Sequence, residues 1–111
     1  MRIAIPVGHE ELCMYFGRCN RFSIIDIDLR SKHITRKKVI DLSENQQTDV
    51  PKYLEKINVN MVIANSICHS TRQKLSEKKI CILYGAQTKK PETLVTDFAY
   101  GILYARNHYL K

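Results

Sequence analysis

The chain has 111 residues, 44% hydrophobic and 26% charged, with only three Pro and four Gly, which excludes a disordered chain and reads as a single domain over residues 1 to 111. Eighteen Lys and Arg against eleven Asp and Glu leave a net charge of +7, which favours an anionic partner without naming one. No segment approaches the roughly 18 apolar residues of a membrane span, and the start, MRIAIPVGHEE, lacks the apolar length of a signal peptide. The expectation is a cytoplasmic protein with neither membrane nor nucleic acid as partner. In that compartment Cys13, Cys19, Cys68 and Cys81 are expected reduced, as core fillers, thiolate ligands or redox groups before structural disulfides.

In chain order, Ile3, Ile5 and Val7 make residues 1 to 7 a short β-branched strand, with Pro6 near its end because proline cannot donate to a ladder. Phe22 to Asp28 is a second strand, and His33 to Leu42 returns as a third. The period then lengthens. Thr48 or Asp49 can cap a helix carrying Val50, Leu54 and Ile57 at i, i+4 and i+7, with Pro51 tolerated in its first turn. Met61 to Ala64 is a buried fourth strand. A second helix runs from about His69 to Glu77, with Ser70 and Gln73 spaced as a capping box and Leu75 turned inward. Ile80 to Tyr84 is the fifth strand, which places Cys81 in the core. Pro91 opens a third helix bearing Leu94, Val95, Phe98 and Ala99, and Gly101 is placed to end it.

A β-β-β-α-β-α-β-α order predicts an α/β fold: a mixed five-stranded sheet with helices on both faces, strand order 3-2-1-4-5, and strand two antiparallel. Strands one, three, four and five then point the same way. Their following loops, Gly8 to Arg21, Ser43 to Gln47, Asn65 to His69 and Gly85 to Lys90, meet at one edge. Open α/β sheets bind ligands there, outside the carboxyl ends of the strands where the order switches.

Those loops carry the candidate chemistry. Cys13 and Cys19 share one loop, and Cys68 with His69 sits on the loop facing it; thiolates, with His as the usual replacement, ligate iron-sulfur and other soft metal centres. The C-x5-C spacing is neither a ferredoxin nor a zinc pattern. His9 and Met14 lie on the same loop, where packing or exposure is the simpler role, and His33 and His108 are remote from it. Arg18 and Arg21 set positive charge beside the thiols, which favours thiolates and attracts a polyanion, and the helix starting near His69 turns free N–H groups toward the same crevice. Neither strand one nor strand four carries an acidic residue, so a nuclease built on strand-end carboxylates is excluded, and no phosphate loop, G-x-S-x-G or H-E-x-x-H is present.

The segments MRIAIPV, YFGRCNRFSIIDID, MVIAN before a helix and ILYGA before the last helix resemble the dinitrogenase iron-molybdenum cofactor biosynthesis family over about residues 1 to 103. The resemblance implies a ribonuclease H-like domain that binds an iron-sulfur or iron-molybdenum cluster, or a precursor, as a carrier rather than an enzyme. It also implies a cofactor-assembly protein as partner and a monomer or weak dimer. Tyr15, Phe16, Gly17, Arg18, Arg21, Asn65 and Gly85 fall at the positions it assigns to cofactor binding, and Cys13, Cys19, Cys68 and His69 are the metal-ligand candidates. Tyr15 stands where the family commonly has His, the loop after strand three reads SENQQTD instead of being glycine-rich, and Asn65 and Cys68 replace glycines, while Gly85-Ala86 is retained. Two other readings stay open: an interaction or anion-binding module with a reassigned site, and a thiol redox protein using Cys13 with Cys19 or Cys68.

Overall fold

A computed structural model describes residues 1–8, 11–42 and 49–107. His9, the 43–47 loop, Thr48 and His108 lie outside the described residues. Among those described, seven strands form one mixed sheet: β1 (Arg2–Gly8), β2 (Glu11–Leu12), β3 (Arg21–Asp28), β4 (His33–Asp41), β5 (Met61–Ile63), β6 (Cys81–Tyr84) and β7 (Arg106–Asn107). Three helices accompany it: α1 (Val50–Lys56), α2 (His69–Glu77) and α3 (Pro91–Ala99). The strands lie in the order β4-β3-β1-β5-β6-β7, with β2 folded back on β1. β3 runs antiparallel to both β1 and β4, whereas β1, β5 and β6 are parallel.

The sheet therefore has two strands more than the five expected. Both extra strands are two residues long, too short for an alternating pattern to show. β2 pairs Val7 with Leu12 and is tied further by the Leu12 N–H to the Lys89 carbonyl at 3.0 Å; β7 lies antiparallel on β6, pairing Tyr84 with Arg106.

Alternation along the strands divides the core in two. Ala4, Phe22, Ile24, Val62 and Ile82 face Leu54 of α1 and Leu75 of α2, while Ile3, Ile5, Ile25, Ile27 and Ile63 face Leu94 and Val95 of α3. Most of these side chains are fully buried, and each large one contributes about 2 kcal/mol of transfer free energy. Cys81 breaks the expectation of a core residue, because it is exposed. It opens β6 on the face that α3 serves, and α3 packs chiefly over β1 and β3.

All three helices close in the same way. Asn58, Lys79 and Gly101 adopt φ of 63°, 61° and 74°, and the next residue, Val59, Ile80 or Ile102, donates its N–H back to Leu54, Leu75 or Asp97. This is the Schellman arrangement, and Gly101 ends α3 before Ile102 and Leu103 can extend it. Val59 and Ile80 also pack with Leu54 and Leu75, so two of the three stops are buried into the core.

Candidate functional site

The loop from Cys13 to Asn20 is held at the carboxyl edge by backbone bonds to its neighbours. The Cys13 N–H donates to Pro6, the Phe16 N–H to Ser66 at 2.9 Å, and the Ser66 N–H to Met14 at 3.0 Å. Tyr15 and Ser66 thus form a parallel bridge joining the first loop to the one that leads into α2. Phe16, Gly17 and Arg18 make one turn of 3-10 helix. Phe16 drops into the core at 4% exposure and meets Phe22 edge-to-face at 5.5 Å, so it anchors the loop and its ring is not presented to solvent. Tyr15 and Met14 are exposed, and the Arg18 guanidinium lies 5.7 Å from the centre of the Tyr15 ring.

The turn brings the Cα atoms of Cys13 and Cys19 to 6.4 Å, and a disulfide joins them. This corrects the expectation of four reduced thiols. Cys68 and Cys81 are free. Three of the four cysteines stand at the carboxyl edge; Cys81, at the start of β6, is at the other.

Cys68 precedes α2 as its N-cap in an extended conformation, with φ −69° and ψ 155°. Ser70 therefore falls inside the first turn and is not the start of a capping box. Its hydroxyl lies 3.3 Å from the Cys68 sulfur, and that of Thr71 lies 3.1 Å away. The Ser70 hydroxyl, followed by that of Thr71, lowers the Cys68 pKa to about 7, against a slight opposing effect of burial. A sizeable fraction of Cys68 is consequently thiolate at neutral pH, and it is exposed.

Thr71 and Cys19 also line a common cleft of about 650 Å³, together with Phe16, Gly17, Asn20 and Lys74. Thr71 thus borders both the cleft that Cys19 lines and the free Cys68 sulfur. A Cβ added at Gly17, on the lining of this cleft, would meet nothing within 4 Å. Next along α2, Arg72 stacks its guanidinium 4.3 Å from the Tyr84 ring centre, and its buried Nε has no hydrogen-bond partner among the described residues.

The remaining expected residues separate into two groups. Asn65 and Gly85 brace the rim: the Asn65 amide donates to the Ala86 carbonyl at 2.7 Å, and the Gly85 N–H donates to the Asn65 carbonyl at 2.8 Å. Gly85 has φ +80°, a backbone state that favours glycine. Arg21 leaves the site. It precedes Phe22 on β3, so alternation sends it to the opposite face, where it lines a smaller cavity with Lys37, Lys90 and Glu92. Among the described residues no three of His, Cys, Asp and Glu gather as a metal site, so Cys13, Cys19, Cys68 and His69 share an edge without forming a ready ligand set in this state. Ser70, Thr71 and Lys74 were absent from the candidates read from sequence. The available signal was helical: Thr71 lies three residues, about one turn, from Cys68.

A larger cavity, about 840 Å³, lies at the opposite edge among Arg2, Asp26, Asp28 and Asn60, far from the three sulfurs. Its Arg2 and Asp26 side chains are already paired with each other, so volume is a poorer guide than donor chemistry. The profile of the dinitrogenase iron-molybdenum cofactor family matches residues 1–101. The chain belongs to that family. A relative, the uncharacterized protein MJ0580 of Methanocaldococcus jannaschii, is 27% identical over 70 residues, 60% of this chain and 59% of its own length. Solved structures agree in fold. PH0822 superposes with a TM-score of 0.84 at 19% identity, covering 95% of this chain and 94% of its own. MJ0327 of Methanocaldococcus jannaschii, a proposed dinitrogenase, gives 0.76 at 25% identity over 96% and 94%. The apo orange protein of Desulfovibrio gigas gives 0.75 at 15% identity over 97% and 96%. No helix among the described residues is long and apolar enough to cross a membrane.

Proposed function

We propose that this chain binds an iron-sulfur or iron-molybdenum cluster, or a precursor of one, as cargo and passes it to a cofactor-assembly protein without catalysing a reaction, on a ribonuclease H-like fold. The observation that carries the reading is the placement of Cys13, Cys19 and Cys68 on the one edge where α/β sheets take ligands, while Cys81 stands apart. Thr71, whose hydroxyl meets Cys68, lines one cleft with Cys19, and the family profile covers the whole of that edge.

The fit depends on redox state. Two of the three edge sulfurs are bonded to each other, and a disulfide sulfur lacks the anionic lone pair that makes a thiolate a ligand. With that bond reduced, the donors are Cys13, Cys19 and Cys68, with His69 adjacent in sequence, and Lys74 and Arg18 supply positive charge toward an anionic cluster. Tyr15 occupies the rim by stacking with Arg18, and we assign it to packing against the cargo.

The test is anaerobic reconstitution of the reduced protein with ferrous iron and sulfide, followed by iron and sulfide analysis and a visible spectrum. Bound iron with thiolate-to-iron charge-transfer bands is expected, weakened at least tenfold by Cys19→Ser with Cys68→Ser and unchanged by Cys81→Ser. A colourless product without iron refutes the reading.

A further inference from the structure

We infer that the Cys13–Cys19 disulfide is a redox gate on this edge, closed when oxidised and opened by a dithiol reductant; the inference rests on the cargo reading above. Opening breaks the S–S bond, which takes up two electrons and two protons from the dithiol to give two thiols, while the dithiol becomes its own disulfide. Closing is the reverse, with a small disulfide as oxidant. No other co-reactant is needed.

Three observations support a reversible bond in preference to a purely structural one. The bond closes a loop whose position is already fixed by backbone bonds at Cys13, Phe16 and Ser66 and by burial of Phe16. Holding the fold together is therefore not its main work. Both sulfurs face the Tyr15 carbonyl oxygen, at 3.8 Å for Cys13 and 2.7 Å for Cys19. Bonded to each other they have no S–H to donate; the Tyr15 carbonyl already accepts the Arg18 N–H at 3.0 Å and keeps one lone pair, so after reduction the nearer thiol, Cys19, has an acceptor in place. Finally, Cys19 is 7% exposed and lines the cleft that Thr71 also lines, the Thr71 hydroxyl being within reach of the Cys68 sulfur, whereas Cys13 is half-buried at the loop's start. A reductant can reach Cys13 first and release Cys19 at the cleft, on the same edge of the sheet as the free Cys68. Oxidation thus withdraws two of three sulfur donors and leaves the third unable to hold a cluster alone.

The experiment prepares the full chain in two states, one treated with a dithiol and one with a thiol oxidant, each then freed of reagent. Alkylation under denaturing conditions with intact-mass measurement is expected to label all four cysteines in the first and two, Cys68 and Cys81, in the second. Peptide mapping should place the oxidised pair at Cys13 and Cys19. Each state is then exposed anaerobically to ferrous iron and sulfide without added thiol, for a time over which the alkylation count shows that sulfide leaves the oxidised bond intact, and bound iron is measured. The reduced state should retain at least ten times more iron than the oxidised state, and re-reduction should restore it. Equal binding by both states overturns the gate and leaves the cargo reading standing. Binding by neither overturns both, and four labelled thiols after oxidant treatment overturns the gate at its chemical step. Cys81→Ser should reproduce the parent's ratio; a collapsed ratio in that variant also overturns the assignment to Cys13 and Cys19.

Discussion

The two edges of the sheet make opposite use of polar residues. At the amino edge the Arg2 guanidinium binds the Asp26 carboxylate at 2.8 Å and donates to the Ile57 carbonyl, while the Arg2 N–H donates to the Asn60 side chain at 2.7 Å. The Met1 ammonium is tied to the Ile27 carbonyl at 3.1 Å. Charge there is matched locally and ties strands together. At the carboxyl edge, Tyr15 and Met14 stand exposed, the buried Arg72 Nε lacks a hydrogen-bond partner among the described residues, and a thiol with a lowered pKa faces solvent on the same edge as a disulfide. One edge has spent its polar groups on stability. The other has kept reactive groups in reach, which is the feature to expect where a ligand supplies the missing partners.

The sharpest way to break this contrast is Phe16→Ala. It removes the buried anchor of the reactive loop, and urea unfolding should show a loss of about 3 kcal/mol. A loss below about 1 kcal/mol would mean the loop is not seated by this ring. Next, Ser70→Ala with Thr71→Val should slow alkylation of Cys68 at pH 7 about tenfold, because losing both hydroxyls returns the thiol toward its ordinary range near 8.5. Rates followed from pH 5 to 10 in the parent should rise with a midpoint near 7. An unchanged profile in the variant would remove the hydroxyls as the cause.

At the amino edge, Asp26→Asn should cost about 1 kcal/mol, since the pair is partly exposed and solvent screens it. The Arg2 hydrogen bond lowers the Asp26 pKa, so the carboxylate contributes stability above its unfolded value near 4 and loses it as pH falls through the folded pKa. The difference between parent and variant should therefore shrink in acid, as urea midpoints at pH 7 and pH 3 can show. The smallest effect comes from a backbone turn. Lys79→Gly relieves a left-handed residue at the end of α2 and should raise the thermal midpoint by a few degrees, about 1 kcal/mol or less. A lower midpoint would show that the lysine side chain contributes more than its backbone costs.

Local sequence was enough wherever one short-range pattern dominated. Ile3-Ile5-Val7 and the FSIIDID segment read as strands because a period of two with branched side chains has few other uses, and α3 stops at Gly101 because that φ favours glycine. The convergence of loops at the carboxyl edge, and with it the place of Cys13, Cys19 and Cys68, followed from element order alone. The side chains were harder. Arg18 and Arg21 are three residues apart in one charged stretch, yet a single turn of 3-10 helix sets one on Tyr15, and the pleat of β3 sends the other through to the far face. Cys81 shares its strand with buried Ile82, yet it is exposed, on the face whose helix packs chiefly over β1 and β3.

What the sequence determined by itself was therefore which segments are strands and helices, and which edge holds the sulfur, since both follow from periodicity and chain direction. Only the tertiary structure decided that Cys13 pairs with Cys19, that Ser70 and Thr71 turn their hydroxyls to Cys68, and that two-residue strands β2 and β7 extend the sheet. Those outcomes depend on distances of a few ångströms between groups, and such distances are set by how already-formed elements pack and not by any periodic signal along the chain.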